Sequence, residues 1–285
     1  MEKITDLHTH STASDGSMSP RELVRYAKEK GLSALALTDH DTIEGIEDAL
    51  DEGRKIGIEV VAGMEISVEY KPEMHILGYF FGESYKNAAD MLEELLKSRN
   101  ERNPRIVEKL NEMGFDISMG EVAHEARGNV IARPHIAGVL VKKGYVKSAE
   151  EAFERFLGYG KPAYFPKNKL SPEEGIRKIS EAGGLPVLAH PIYLYFSLKQ
   201  LDELLAELVL YGLKGIEAYY VDNTGDDTGN TLRLAIKHNL LVTGGSDFHG
   251  SFKPKIDIGR GYGNLRVPYE LLEKLKTAHS RTYKA

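Results

Sequence analysis

Short apolar, β-branched runs alternate with amphipathic helical segments along most of this chain, a rhythm that predicts β/α units around a parallel sheet or barrel. Strands are expected at Leu7 to His10, Leu35 to Thr38, Val60 to Ser67, His75 to Tyr79, Val187 to His190, Ile216 to Tyr219 and Leu241 to Gly244. That is one unit short of the eight in a full α/β barrel. A length of 285 residues suits one such fold.

Two helix starts are explicit. Ser19-Pro20-Arg21-Glu22 and Ser171-Pro172-Glu173-Glu174 each offer Ser at the N-cap, Pro at the first helical position and Glu two residues further on. Between Glu83 and Lys167 the rhythm changes to helical segments, such as Ala88 to Met113 and Glu150 to Leu157, without a convincing buried strand. This predicts a helical cap at 83–167 inserted into a barrel formed by 1–82 and 168–285. Turn signals at Gly158-Tyr159-Gly160 and Phe165-Pro166 mark its end.

Composition narrows the chemistry. With no cysteine there is neither a disulfide framework nor a thiolate metal site, so any metal must be held by nitrogen and oxygen. A net charge of −6 gives no general attraction to polyanions, so a nucleotide substrate needs a local basic patch and no stable nucleic-acid complex is expected. The apolar stretches are too short for a membrane span, and Met1 to Asp6 lacks the form of a secretory signal; a cytoplasmic location is expected. Oligomeric state is not legible.

Of ten histidines, six lie at or near predicted strand ends: His8, His10, His40, His75, His190 and His249. Barrel enzymes assemble their sites at the C-terminal ends of strands. His8 and His10 are two apart on an extended segment, so both rings share one face. Asp15 stands in Ser14-Asp15-Gly16, where an ordinary turn residue is the simple reading. Glu65 is different, because an anion inside Ala62-Gly63-Met64-Glu65-Ile66 is costly unless a cation meets it. Asp247 and His249 share a face if Ser246 to His249 is extended. Each residue alone is explicable as a hydrogen-bonded loop or core group; together they point to a metal cluster. His124, His238 and His279 read as surface residues.

Asp6-Leu7-His8-Thr9-His10-Ser11, Thr38-Asp39-His40-Asp41, Gly63-Met64-Glu65, Ala189-His190-Pro191 and Ser246-Asp247-Phe248-His249 resemble the successive motifs of the polymerase and histidinol phosphatase (PHP) superfamily. The resemblance covers nearly the whole chain and implies a distorted seven-stranded β/α barrel with two or three divalent metals, of the Mn, Fe or Zn type. It implies one ion held by His8, His10, Glu65 and Asp247, a second by Glu65, His75 and His190, and a third by Asp15, His40 and His249. Asp15 departs from a histidine found in some trinuclear relatives, which leaves the third site the least secure. The candidate catalytic residues are Glu65, Asp247 and His249.

Within the superfamily, Arg99-Asn100-Glu101-Arg102-Asn103 and Ala132-Arg133-Pro134-His135-Ile136 resemble the branch of small phosphoesterases acting on nucleoside 3′,5′-bisphosphates and related nucleotides, including a ribonuclease that trims RNA from its 5′ end. Arg102, Arg133 and His135, and with less support Arg99, are then expected to bind phosphate. Guanidinium groups grip phosphate oxygens in pairs, and an arginine before proline is held extended. Without that resemblance, Arg99 and Arg102 read as a solvated helix face. The implied function is phosphate-ester hydrolysis on a nucleotide or short RNA. A histidinol-phosphate phosphatase and a non-catalytic metal-binding domain are the rival readings. A processive nuclease would need a continuous basic path, for which Lys142-Lys143 and Lys167-Asn168-Lys169 read as plain solvated charge. Glu217, on a predicted strand near the site, has no role from sequence.

Overall fold

The computed structural model describes residues 3–126, 128 and 130–283. Its strands are β1 (Ile4–Thr9), β2 (Ala34–Leu37), β3 (Glu59–Val68), β4 (Met74–Phe80), β5 (Leu185–Leu188), β6 (Gly215–Tyr220), β7 (Leu241–Gly245) and β8 (Val267–Pro268). The helices are α1 (Pro20–Glu29), α2 (Ile46–Ile56), α3 (Ala89–Glu112), α4 (Met119–Ala126), α5 (Arg133–Lys142), α6 (Ala149–Ala152, continued by a π-helical turn at Phe153–Leu157), α7 (Pro172–Glu181), α8 (Leu198–Leu210), α9 (Gly225–Lys237) and α10 (Glu270–Tyr283). All seven expected runs form strands, in a sheet of order β7-β6-β5-β4-β3-β2-β1-β8.

The expected all-parallel arrangement needs correction. β4 runs antiparallel to both β3 and β5, and the short β8 lies antiparallel to β1. The cause is the β3–β4 connection, residues 69–73, which is far too short for a crossover helix and makes a hairpin instead. Function follows directly from this reversal. A strand running the other way brings its first residues, rather than its last, to the mouth where the parallel strands end, and so delivers His75 there.

The sheet curls until β7 meets β1 at that mouth. Asp247 N–H donates to the His8 carbonyl at 2.9 Å, and His10 N–H donates to that of Phe248 at 3.0 Å. Gly245 is required at this seam, since any Cβ would collide with the His8 backbone. Inside the barrel, Leu7, Ala36, Leu77 and Val187 form one buried cluster with Leu272 and Leu275 of α10. At the opposite end of the barrel, His279 donates to the Gly183 carbonyl at 2.9 Å and is half-buried, not the plain surface residue its sequence context suggests. His238 is likewise half-buried, against Asp202 at 2.7 Å, whereas His124 is exposed.

Both sequence-marked capping boxes form, at Ser19 with Glu22 and at Ser171 with Glu174. From 83 to 167 the described residues contain helices and no strand. Helix α3 joins two cores: Leu92 and Leu95 pack with the barrel's outer helices, and Ile106 and Leu110 pack with Ile136, Leu140 and Leu157 of the insertion. No helix among the described residues is long and apolar enough to cross a membrane.

Candidate metal centre

Glu65 stands at the middle of the barrel mouth. Its Oε1 lies 2.8 Å from His75 Nδ1 and 2.9 Å from His190 Nε2. Its Oε2 lies 3.1 Å from His40 Nδ1 and 3.3 Å from Nε2 of both His8 and His10. Five imidazoles thus converge on one buried carboxylate. Asp247 closes one side, with Oδ1 3.2 Å from His10 Nε2 and 3.4 Å from His249 Nδ1.

Asp15 reaches the same place by a route the sequence hides. Asp39 accepts hydrogen bonds from Ser11 N–H at 2.8 Å and from the Ser11 and Ser14 hydroxyls at 2.6 and 2.5 Å. The loop is drawn inward, and Asp15 Oδ1 comes within 3.2 Å of His249 Nε2, with Oδ2 3.8 Å from His40. Asp15 lies in a turn, as its sequence context suggests, but is only 4% exposed and faces the cluster. All nine side chains that the family resemblance implicates in metal binding meet in this one cluster.

The cluster has the character of a cation cage. His8 Nε2, both ring nitrogens of His10, His40 Nδ1 and Glu65 Oε2 are buried without a hydrogen-bond partner. Orphaned buried polar atoms are expensive unless something meets them, and an all-nitrogen-and-oxygen set of imidazoles and carboxylates suits a divalent transition ion. Among the described residues three overlapping groups have ligand atoms close enough to share an ion: His10, Asp15, His40 and His249; His8, His10 and Glu65; and His40, Glu65 and His75.

Electrostatics agree with the geometry. Burial pushes Glu65, Asp15 and Asp247 upward, but neighbouring imidazoles, and Lys253 for Asp247, outweigh it and hold all three well below the usual carboxylate range. Burial lowers His10 and His75, yet the close carboxylates of Asp247 and Glu65 at His10, and hydrogen bonds and charge from Glu65 and Glu73 at His75, win and raise each to about 9. Burial dominates at His40, which falls to about 3.

The cage opens into a cavity of about 910 Å³ whose other wall is the insertion. Arg102 and Arg133 line it. Arg102 is 6% exposed, its guanidinium bonded to the Asn103 side chain at 2.7 and 3.1 Å, and among the described residues no carboxylate is in ion-pair contact with it. Burial and the nearby Arg99 and Arg133 charges lower it to about 9. Arg133 lies over the Phe153 and Tyr164 rings and donates to the Leu157 carbonyl at 3.3 Å. It is already the first residue of α5; the extended residue is Ala132, because Pro134 sits in the first helical turn, where a missing N–H costs nothing.

This fold is shared with known proteins. A family model described as "PHP domain" matches residues 6–162. The chain belongs to the PHP domain family. It is 36% identical over 250 residues to a 5′-3′ exoribonuclease of Haemophilus influenzae, covering 87% of this chain and 91% of that one. It is 33% identical over 272 residues to a phosphoribosyl 1,2-cyclic phosphate 1,2-diphosphodiesterase of Eggerthella lenta, covering 93% and 99%. It is 31% identical over 259 residues to a 3′,5′-nucleoside bisphosphate phosphatase of Chromobacterium violaceum, covering 89% and 90%. Among solved structures, a Bifidobacterium adolescentis chain assigned as a metal-dependent phosphoesterase superposes with a TM-score of 0.85 at 30% identity, over 96% of each chain.

Three of the four expected phosphate ligands of this PHP domain are placed otherwise than as free clamps, for Arg133 Nη2 also donates to Glu73 Oε2 at 3.3 Å. Arg99 is bound to Asp41, with Nε and Nη2 each 2.7 Å from Oδ2. His135 is fully buried, is absent from the cavity lining, and uses Nδ1 to accept from Ala132 N–H at 3.1 Å. Sequence reasoning also missed residues. Lys167, read as solvated charge, has a side chain only 3% exposed, pairs with Asp41 and lines the cavity; burial, with Arg99 nearby, lowers it to about 7. Tyr220 O–H and Lys253 donate to Asp247 Oδ2 at 2.8 and 2.6 Å, leaving Oδ1 for the cage. No local pattern marks Lys167, whose partner Asp41 is 126 residues away. For Tyr220 the signal is position alone, at the end of a predicted strand.

Proposed function

We propose that this chain hydrolyses phosphate esters with two or three divalent ions of the Mn, Fe or Zn type, on a small nucleotide substrate. Nucleoside 3′,5′-bisphosphates and mononucleotides are the primary class, and trimming of short RNA from its 5′ end is compatible with the same site. One observation carries the reading: an imidazole and carboxylate cage and a guanidinium wall face the same cavity. The cage suits cations. The wall, where buried Arg102 has no carboxylate in contact, suits an anion.

In this reading the barrel consists of 1–82 and 168–285, and 83–167 is the cap. His8, His10, Glu65 and Asp247 hold one ion, Glu65, His75 and His190 a second, and Asp15, His40 and His249 a third. Bound divalent ions supply Lewis-acid charge and a water that is nucleophilic near neutral pH. Arg102 and Arg133 orient the substrate by its phosphate oxygens, with Lys167 as an added cation. Glu65, Asp247 and His249 are the proposed catalytic residues. Tyr220 and Lys253 fix the outer oxygen of Asp247, so the carboxylate cannot rotate away from the cage. The cytoplasmic location read from the sequence belongs to the same proposal.

Histidinol phosphate carries an ammonium group, and the arginine wall disfavours it. Phosphate release measured side by side on adenosine 3′,5′-bisphosphate and histidinol phosphate, with manganese-loaded protein, tests the reading. Faster turnover of the bisphosphate is expected. Preference for histidinol phosphate would overturn the substrate class, and no turnover of any phosphate ester would restore the non-catalytic alternative.

A further inference from the structure

Glu217 sits on β6 inside the barrel, fully buried beneath the cage. Among the described residues its one ion-pair partner is His8: Oε1 and Oε2 lie 3.1 and 3.3 Å from His8 Nδ1. The same carboxylate accepts the backbone N–H of His190 at 2.8 Å. A buried anion without a lysine or arginine beside it is a costly element, so its two contacts need an account.

Both contacts end at the cage. With Nδ1–H committed to Glu217, the His8 ring presents Nε2 toward Glu65 Oε2 at 3.3 Å. A ring nitrogen that faces a cation must carry no proton, and the partner of the other nitrogen decides which one that is. At His190 the difficulty is the main chain. Its φ is +25° and ψ +62°, a region side-chain-bearing residues rarely occupy, and Pro191 follows directly. This backbone aims His190 Nε2 at Glu65 Oε1, 2.9 Å away. The Glu217 hydrogen bond holds the one N–H that the strained peptide offers.

We propose that Glu217 is a positioning residue that sets two imidazoles of the cage together, fixing the ring of His8 through Nδ1 and the left-handed backbone of His190 through its N–H. Resting on the metal reading above, this makes ion binding at the His8 and His190 positions depend on one carboxylate. The group formed by Asp15, His40 and His249 has no contact with Glu217 among the described residues and stands apart from it.

Glu217→Gln tests this with little change of shape. An amide replaces one accepting oxygen with an NH2 donor: with its oxygen at the Oε2 position it keeps the His190 N–H but sets the NH2 against His8 Nδ1–H, and turned over it leaves the His190 N–H facing a donor, so one of the two contacts is disturbed either way. Manganese and zinc affinity, measured by chelator competition on the full chain, should fall roughly 10–100-fold for part of the bound metal and stay unchanged for the rest. A hydrogen-bonded His8 Nδ1–H proton should be visible by NMR in wild type, with and without zinc, and be shifted or lost in Glu217→Gln. Glu217→Ala should lose both ring and backbone contacts and more metal still. If Ala fails to fold, the Gln variant decides alone, since its circular dichroism should match wild type. Unaltered affinity together with an unaltered His8 proton would overturn the proposal. Wild-type protein that takes up no metal would sink the metal reading, while the His8 proton would still report whether Glu217 holds the ring.

Discussion

The barrel mouth and the helical insertion face each other across one cavity and are charged by opposite rules. At the mouth Glu65, Asp15 and Asp247 each have imidazoles against them, and ring nitrogens of His8, His10 and His40 and an oxygen of Glu65 are left without a hydrogen-bond partner. On the insertion side Arg99 and Lys167 share the single carboxylate Asp41, while Arg102 is buried with only an amide side chain. In the proposed function the first arrangement takes cations and the second an anion. A substrate carrying phosphate, bound with metal, satisfies both at once.

Replacing one carboxylate at the mouth should break this pairing most severely. Glu65→Ala removes the group that five imidazoles share, and kcat/KM for phosphate release should drop by about 10³-fold or more with the fold retained by circular dichroism. Activity within roughly tenfold of wild type would reject the site. On the opposite wall, Arg102→Ala should raise KM about 10–100-fold while metal content stays the same. Loss of metal instead would show that the two walls are not separate in function.

Acidity sharpens the same contrast. His10 and His75, raised to about 9, carry protons at neutral pH before metal arrives, and a ligating imidazole must release them. Metal uptake at pH 7 should therefore release protons, seen in calorimetry as a heat that changes with the buffer's ionisation enthalpy. Apparent affinity should weaken as pH falls below about 9. An affinity independent of pH between 6 and 9, to within about a factor of two, would contradict these assignments. The smallest effect is expected on the insertion's outer face. The Lys142 side chain is 63% exposed and paired with Glu125, and Lys143 is paired with Glu121. Replacing both with alanine should change turnover of a short 5′-phosphorylated RNA less than about twofold, and a large loss would extend the binding surface there.

The same contrast explains what could be read from the sequence. Parallel strands buried on both faces read as apolar runs, so β1, β2, β5, β6 and β7 were legible, and the ligand-type residues follow directly from their ends. The direction of β4 is not written in its composition; the only hint is that His75 opens its run instead of closing it. Strand β8, Val267–Pro268, is too short to leave a period. Asp15 looks like a turn residue because its burial depends on Asp39 pulling on Ser11 and Ser14 from the next strand's end. In the insertion, helical periodicity was clear, but each cation's partner lies far along the chain. Arg99 and Arg102, three residues apart on one helix, therefore look alike in sequence and differ in the fold, one neutralised by Asp41 and the other bonded to the Asn103 amide.

Anomalous diffraction from crystals of manganese-loaded protein tests the central claim most directly. Peaks should lie at coordination distance from Glu65, and from Asp247 or Asp15, with ring nitrogens of the surrounding histidines turned toward them. Well-ordered crystals in which those carboxylates and imidazoles only hydrogen-bond to one another, with manganese absent or bound elsewhere, would contradict it.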